Sequence, residues 1–199
     1  MELNKIDSLQ LELVEKWHSI SPQPEFRGFL GLVEKQHLQN FLLWHEEDIA
    51  RAPDVDDAEI ARVKRSIDRL NQTRNDLIEQ LDEAILQELT SSGIKINQAS
   101  PINSETPGSI IDRCSIMALK IFHMNEQAAR NDVDQTHLEE ARRKVKILVM
   151  QRSDLVKCLF ELIADIESGR RQFKLYRQFK MYNDPSLNPR IYSAQQSQR

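Results

Sequence analysis

Two long stretches of this 199-residue chain repeat apolar residues at heptad spacing, and that repeat limits the fold more than any other feature. The first reads Ile60, Val63, Ile67, Leu70, Arg74, Leu77, Leu81 and Ala84. The second reads Leu138, Ala141, Val145, Leu148, Arg152, Leu155, Leu159, Leu162 and Ile166. Apolar residues three and four apart share one side of an α-helix, and seams this long belong to helices that pack along most of their length. Each seam is interrupted once by an arginine, Arg74 or Arg152.

The rest of the chain is compatible with that pattern. Ile6, Leu9, Leu13 and Trp17 mark a first helix that SPQP ends at Ser21–Pro24, and Phe29, Leu30, Val33, His37, Phe41 and Trp44 mark a second that ends before Pro53. The acidic turn PDVDD supplies an N-cap and favourable charge to the third helix. With only 5 Gly and 7 Pro there are few places to turn. The expected fold is all-α: an elongated antiparallel bundle of four or five long helices in a single domain, 1–199. A long loop is expected at 91–106 and an irregular tail at 183–199. Continued through Gly169, Phe173 and Tyr176, the last helix would measure roughly 65–70 Å at 1.5 Å per residue. A compact domain of this size is only about 40 Å across. The helix must therefore break near Gly169 or project and pair with another chain, and a bend together with a homo-oligomer is the preferred expectation.

Charge and cysteine content exclude several classes of function. A net charge of −4 creates no positive field for nucleic acid or anionic lipid. Cys114 and Cys158 lie in helical stretches without CxxC spacing, so free thiols in a reducing cytoplasm are expected rather than a disulfide framework. The amino terminus carries acids among its apolar residues and lacks a cleavage site, and no apolar run is long enough to span a bilayer. No Walker loop, GxSxG, HExxH or dinucleotide-binding glycine pattern is present.

Chemistry-bearing residues concentrate in TPGSIIDRCSIMALKIFH, Thr106 to His123. Thr106 is an N-cap and Pro107 the first helical residue. Gly108 and Ser109 follow in the first turn, where unpaired backbone N–H groups make phosphate or carboxylate binding easy but capping alone explains the pattern. Further on, Ile110, Cys114, Met117, Ala118 and Ile121 make one stripe, and Asp112, Ile116, Leu119 and His123 make another on the opposite side. A helix apolar on both sides is buried on both, so Asp112 and His123 need partners. An antiparallel register puts Arg152 level with Asp112, and Arg74 near His123. These four groups either satisfy one another and fix helix register, or line a pocket. In the pocket reading Arg74, Arg152, Gly108 and Ser109 bind an anionic small molecule, with Asp112 and His123 as candidate acid and base.

Three other clusters carry polar chemistry. His45 and Asp48 in WHEED are three apart, but no ExxH accompanies them, so no metal and no cofactor are expected. The ExxD at Glu79 and Asp82 echoes metal-binding pyrophosphohydrolase helices, yet both residues read as pointing away from the Arg74 seam. In the tail GRRQFKLYRQFKMYNDPSLNP, cations surround Phe173 and Tyr176. They form either a solvated face or a contact for phosphates or an acidic partner, and Tyr182, Asn183 and Asp184 could fold back on the bundle.

TPGSIIDRCSIMALKIFHM, NFLLWHEEDIARAPDVDDAEIARVKRSIDRLNQTRNDLIEQLD and YRQFKMYNDPSLNP together resemble a bacterial domain family of about 200 residues without an assigned function, found beside heptosyltransferase-type glycosyltransferases. The resemblance covers most of the chain. It implies a cytoplasmic accessory role near sugar-nucleotide chemistry, with a glycosyltransferase of envelope glycan assembly as partner, and it assigns no catalytic residue. Cys114 stands where that pattern has leucine. A second, one-helix likeness runs through VKRSIDRLNQTRNDLIEQLD, which resembles the arginine-bearing first helix of all-α chorismate mutases. It implies a helical pocket with buried arginines.

Overall fold

The computed structural model describes residues 2–179, 184, 186–190 and 193. Among these the protein is all-helical, with five α-helices: α1 (Ile6–Ser19), α2 (Gly28–Ile49), α3 (Asp57–Ser91), α4 (Pro107–Ala128) and α5 (Gln135–Glu167). A short 3-10 turn, Leu3–Lys5, leads into α1. At 1.5 Å per residue the 35 residues of α3 extend about 50 Å, which gives the bundle its long axis. No helix among the described residues is long and apolar enough to cross a membrane.

Local chemistry sets each boundary. Asp56 accepts the Glu59 N–H at 2.8 Å to start α3, Thr106 accepts the Ser109 N–H at 3.2 Å to start α4, and Asp134 accepts the His137 N–H at 2.7 Å to start α5. α5 stops at Glu167, and Gly169 takes a φ of +72° that lets the chain turn back. The heptad-like pattern does not continue as helix through Phe173 and Tyr176. Phe173 is buried in the core, whereas Tyr176 is exposed.

The segment after α5 instead runs beside the long loop that joins α3 to α4. Gln172 exchanges main-chain hydrogen bonds with Pro101 and Asn103, and its side chain donates to the Gln98 and Ser100 carbonyls at 2.8 and 2.6 Å. Farther along, Arg177 pairs with Glu79 and Glu83 on α3, so that part of the cationic tail meets acids of its own chain. Tyr182, Asn183 and most of the expected tail lie outside the described residues.

α2 and α3 form one antiparallel hairpin and α4 and α5 a second. α4 packs against each of the other four helices, with α1 lying across α4 and α2. The core follows from that arrangement. Ile110, Ile111, Cys114, Ala118 and Leu119 of α4 are buried all round the helix, among Val33, Leu81, Ile85, Leu159 and Ile166 from its neighbours. Arg113 and Lys120 are the α4 side chains left to solvent along that length.

Helices α3 and α4 approach most closely at Gly108. A Cβ there would stand 2.6 Å from the Ile78 carbonyl oxygen and 2.9 Å from Asp82 Oδ1. The carbonyl is locked in α3, so the two helices would have to separate. Gly108→Ala should therefore destabilise the protein by about 1–3 kcal/mol, the usual penalty for overpacking. Urea denaturation would measure it, and an unchanged midpoint would show that the contact gives way freely.

Candidate functional site

Five helices built largely from apolar seams enclose one continuous polar seam. Its centre is Asp112 of α4, only 5% exposed. Arg74 of α3 donates to it through both Nε, at 2.7 Å, and Nη2. From α2, Gln36 Nε2 and Asn40 Nδ2 complete its coordination, the latter at 2.9 Å. A carboxylate taken from water at this depth must recover its hydration from such donors, and Asp112 does so with four.

The seam continues through α2. Asn40 also donates to Ser115 Oγ at 2.8 Å, and that hydroxyl lies 2.6 Å from His37 Nδ1. His37 Nε2 closes no hydrogen bond of good geometry, and the Gln10 main chain lies near the ring. Gln10 of α1, fully buried, donates to the Ile111 carbonyl and accepts from Arg152 Nη2 at 3.2 Å. Arg152 of α5 closes the series: Nε reaches the Cys114 carbonyl at 3.2 Å, Nη2 the Asp7 carbonyl at 2.9 Å, and Nη1 the Asp7 carboxylate.

The two seam arginines are therefore both in ion pairs, but not with the partners their register suggested. Arg152 sits close to the expected level on α4, at Cys114, yet two residues along a helix is about 200° of rotation. Its guanidinium thus faces α1 rather than Asp112. Arg74 takes Asp112 in its place. His123 pairs with neither arginine: its Nδ1 lies 2.7 Å from Glu126, and its ring stacks on Trp44 with centroids 4.5 Å apart. Gly108 and Ser109 form a third location. The Gly108 N–H donates to Asp82 at 2.6 Å, and the Ser109 hydroxyl donates back to the Thr106 carbonyl. The amino end of α4 thus holds a carboxylate supplied by α3.

Asp82 is buried, and Glu79 is partly so, which differs from the outward placement read from the seam. α3 is covered on a second side by the loop and the tail, which a heptad count on α3 alone does not reveal. Burial pushes the Asp82 carboxyl up to about 6, against the lowering effect of the Thr106 hydroxyl and the Gly108 N–H.

Beside the Arg74–Asp112 pair a cavity of about 410 Å³ opens between α2, α3 and α4. Its apolar wall is Leu43, Ile116 and Leu119; its polar wall is Asn40, Asn71, Arg74, Glu47, Asp48 and Arg51, with Trp44 between them. Trp44 and Asp48 also line an adjoining cavity of about 510 Å³ with His123, Lys120, Glu126 and Leu148. Volumes of this order suit small molecules. Behind Trp44, His18, His45 and His123 stand with ring centroids 5.0 to 6.0 Å apart. Burial and the two neighbouring imidazoles hold His45 below the ordinary histidine value. Among the described residues no three His, Cys, Asp or Glu side chains are placed to hold a metal ion. Sequence reasoning missed Gln10, Gln36, Asn40 and Ser115; the paired spacings Gln36/Asn40 and Asp112/Ser115 were the available signal.

Residues 30–175 match the family described as "Protein of unknown function (DUF4254)", which is well over half of the chain, so the chain belongs to that family. No curated protein and no solved structure matches the chain.

Two outcomes follow from the seam. Removing one partner of the buried pair leaves the other charge uncompensated, so Asp112→Ala should cost about 3–5 kcal/mol. An Arg74→Met change added to it should recover only part of that loss, because Gln36 and Asn40 stay unsatisfied. Chemical denaturation of the single and double variants would measure this, and a single variant within about 0.5 kcal/mol of wild type would contradict it. His37 provides a pH signature. Burial, ahead of the nearby Arg152 charge, lowers its pKa to about 3 from 6.5. The unfolded chain takes up a proton that the folded ring refuses. The stability tied to the neutral ring is thus full above pH 6.5 and is lost as pH falls toward 3, by about 1.4 kcal/mol per unit. Asp82, with its raised value, works in the opposite sense and is common to wild type and variant. His37→Gln should therefore close its stability gap to wild type, or overtake it, between pH 6.5 and 4.5; parallel curves would contradict the assignment.

Proposed function

We propose that this member of the DUF4254 family is a helical binding or accessory protein rather than a catalyst. The observation that supports this reading is the closure of the polar core. Asp112 is held by four donors and its charge is paired with Arg74, so its carboxylate is tied to the bundle's own side chains. Arg152 is turned toward α1, away from any cavity wall named above. Buried charges paired with one another in this way define a register rather than await a substrate.

The sequence resemblance adds the setting: a cytoplasmic role beside a glycosyltransferase of envelope glycan assembly. A homo-oligomer belongs to the same reading, supported by Val149, Met150 and Phe160, which α5 leaves exposed. The competing reading is an enzyme or sensor that binds a phosphorylated or carboxylated ligand through the buried arginines, as in chorismate-mutase-like helical pockets. It is favoured by one observation, that Arg74 lines an open cavity.

Thermal-shift titration with inorganic phosphate, nucleotides, dicarboxylates, and sugar phosphates beside their parent sugars separates the two. The accessory reading expects no anion to stabilise the protein beyond its uncharged parent. An anion that adds about 2.7 kcal/mol at a hundredfold excess over Kd, and loses that gain in Arg74→Ala, would establish the enzyme or sensor reading instead.

A further inference from the structure

We propose that the cleft at Trp44 is a binding site for an uncharged polyhydroxylated molecule of the monosaccharide class. This rests on reading the protein as a binding module, and it identifies the chemistry of what is bound. The charge distribution carries it. At the cleft, the guanidinium groups of Arg74 and Arg51 face the carboxylates of Asp112, Glu47 and Asp48. Arg74 is neutralised by Asp112, and Arg51 by Glu47, which accepts from it at 2.7 Å. One carboxylate, Asp48, is left over. A phosphate or carboxylate entering here would meet no uncompensated cation among the described residues, and Lys120, which has no ion-pair partner among them, lines the adjoining cavity rather than this one.

The groups with unspent hydrogen-bonding capacity point the same way. Among the described residues, the side chains of Asn71 and Asp48 have no hydrogen-bond partner, the Trp44 indole N–H is untaken, and Arg74 keeps Nη1 after committing Nε and Nη2 to Asp112. These are mixed donors and acceptors around one aromatic ring, against the apolar Leu43, Ile116 and Leu119. A vicinal diol both donates and accepts, so it matches a carboxylate beside a carboxamide, and its C–H face matches indole. His123 stacks on Trp44 at an interplanar angle of 8° and holds the ring in place at the cleft wall. The cleft volume of about 410 Å³ accommodates a single sugar ring with water.

The test is ligand-observed NMR with glucose, galactose, mannose and N-acetylglucosamine, each beside its 1-phosphate, on wild type, Asp48→Asn and Asn71→Ala. Asp48 is exposed and Asn71 half-buried, so both variants should melt near wild type. At least one neutral sugar should bind saturably, and each variant should weaken it about tenfold, the usual effect of losing one hydrogen bond to a polar partner. If Asn71→Ala fails to fold, Asp48→Asn carries the comparison. The proposal is overturned if no neutral sugar binds saturably, if neither variant weakens binding, or if the phosphate binds tighter than its parent sugar. The first two results leave the accessory reading intact. The third, joined to dependence on Arg74, removes both.

Discussion

Asp112 is the group on which the packing of the other helices depends. A carboxylate at 5% exposure is tolerable only while four donors from α2 and α3 stay on it. Those donors in turn fix how far α2 and α3 can slide against α4. From Asp112 polar contacts pass through Asn40 to Ser115 and His37, and Gln10 and Arg152 tie α1 and α5 to the same helix through the Ile111 and Cys114 carbonyls. Apolar seams of leucine and isoleucine tolerate a shift of one helical turn with modest loss. A polar seam does not, because each slipped group is left buried without a partner. Burial of the apolar faces supplies most of the stabilisation, while the polar seam determines which of several similar bundles forms.

That division of labour has a consequence for function. Catalysis by a carboxylate or a histidine requires one that is positioned but not already committed. In this bundle the buried charges Asp112 and Arg152 are committed to partners, while side chains with spare hydrogen-bonding capacity stand at the cleft beside Trp44. Arg74 is where the two sets meet: it faces Asp112 inward and the cleft outward. Its position relative to any bound molecule is therefore set by α2 and α4 before the molecule arrives, which lowers the ordering cost of binding.

The heptad seams made the helices, their order and the all-α class legible, and the two arginines at seam positions signalled buried ion pairs. The identity of the partners was not legible. Arg152 lies at the level expected on α4, but the side of α4 it faces depends on where α1 lies, and α1 carries no signal of its placement beyond Ile6, Leu9, Leu13 and Trp17. In sequence His37 belongs to the α2 stripe, while Gln36 and Asn40 lie off it. They are buried because α2 is covered on two sides, and one-sided periodicity cannot register a second buried face. The cleft was not foreseen for a related reason. It lies between three helices, and a gap between helices is a property of tertiary packing rather than of any one seam.

Asp82 shows how the same physics closes one site and leaves another open. The first turn of α4 offers N–H groups and a positive helix end, the usual attraction for a phosphate. Here the neighbouring helix supplies the anion, at the cost of burying a carboxylate whose pKa rises to about 6. Gly108 is what allows this, since any larger residue would push α3 away before Asp82 could reach the amide. The glycine that in sequence suggests room for a ligand thus serves the close approach of two helices. The position that resembles a binding motif is filled from within, and the space for an outside molecule lies about a helical turn or more away, where Ile116 and Leu119 of α4 face Trp44 across the cleft.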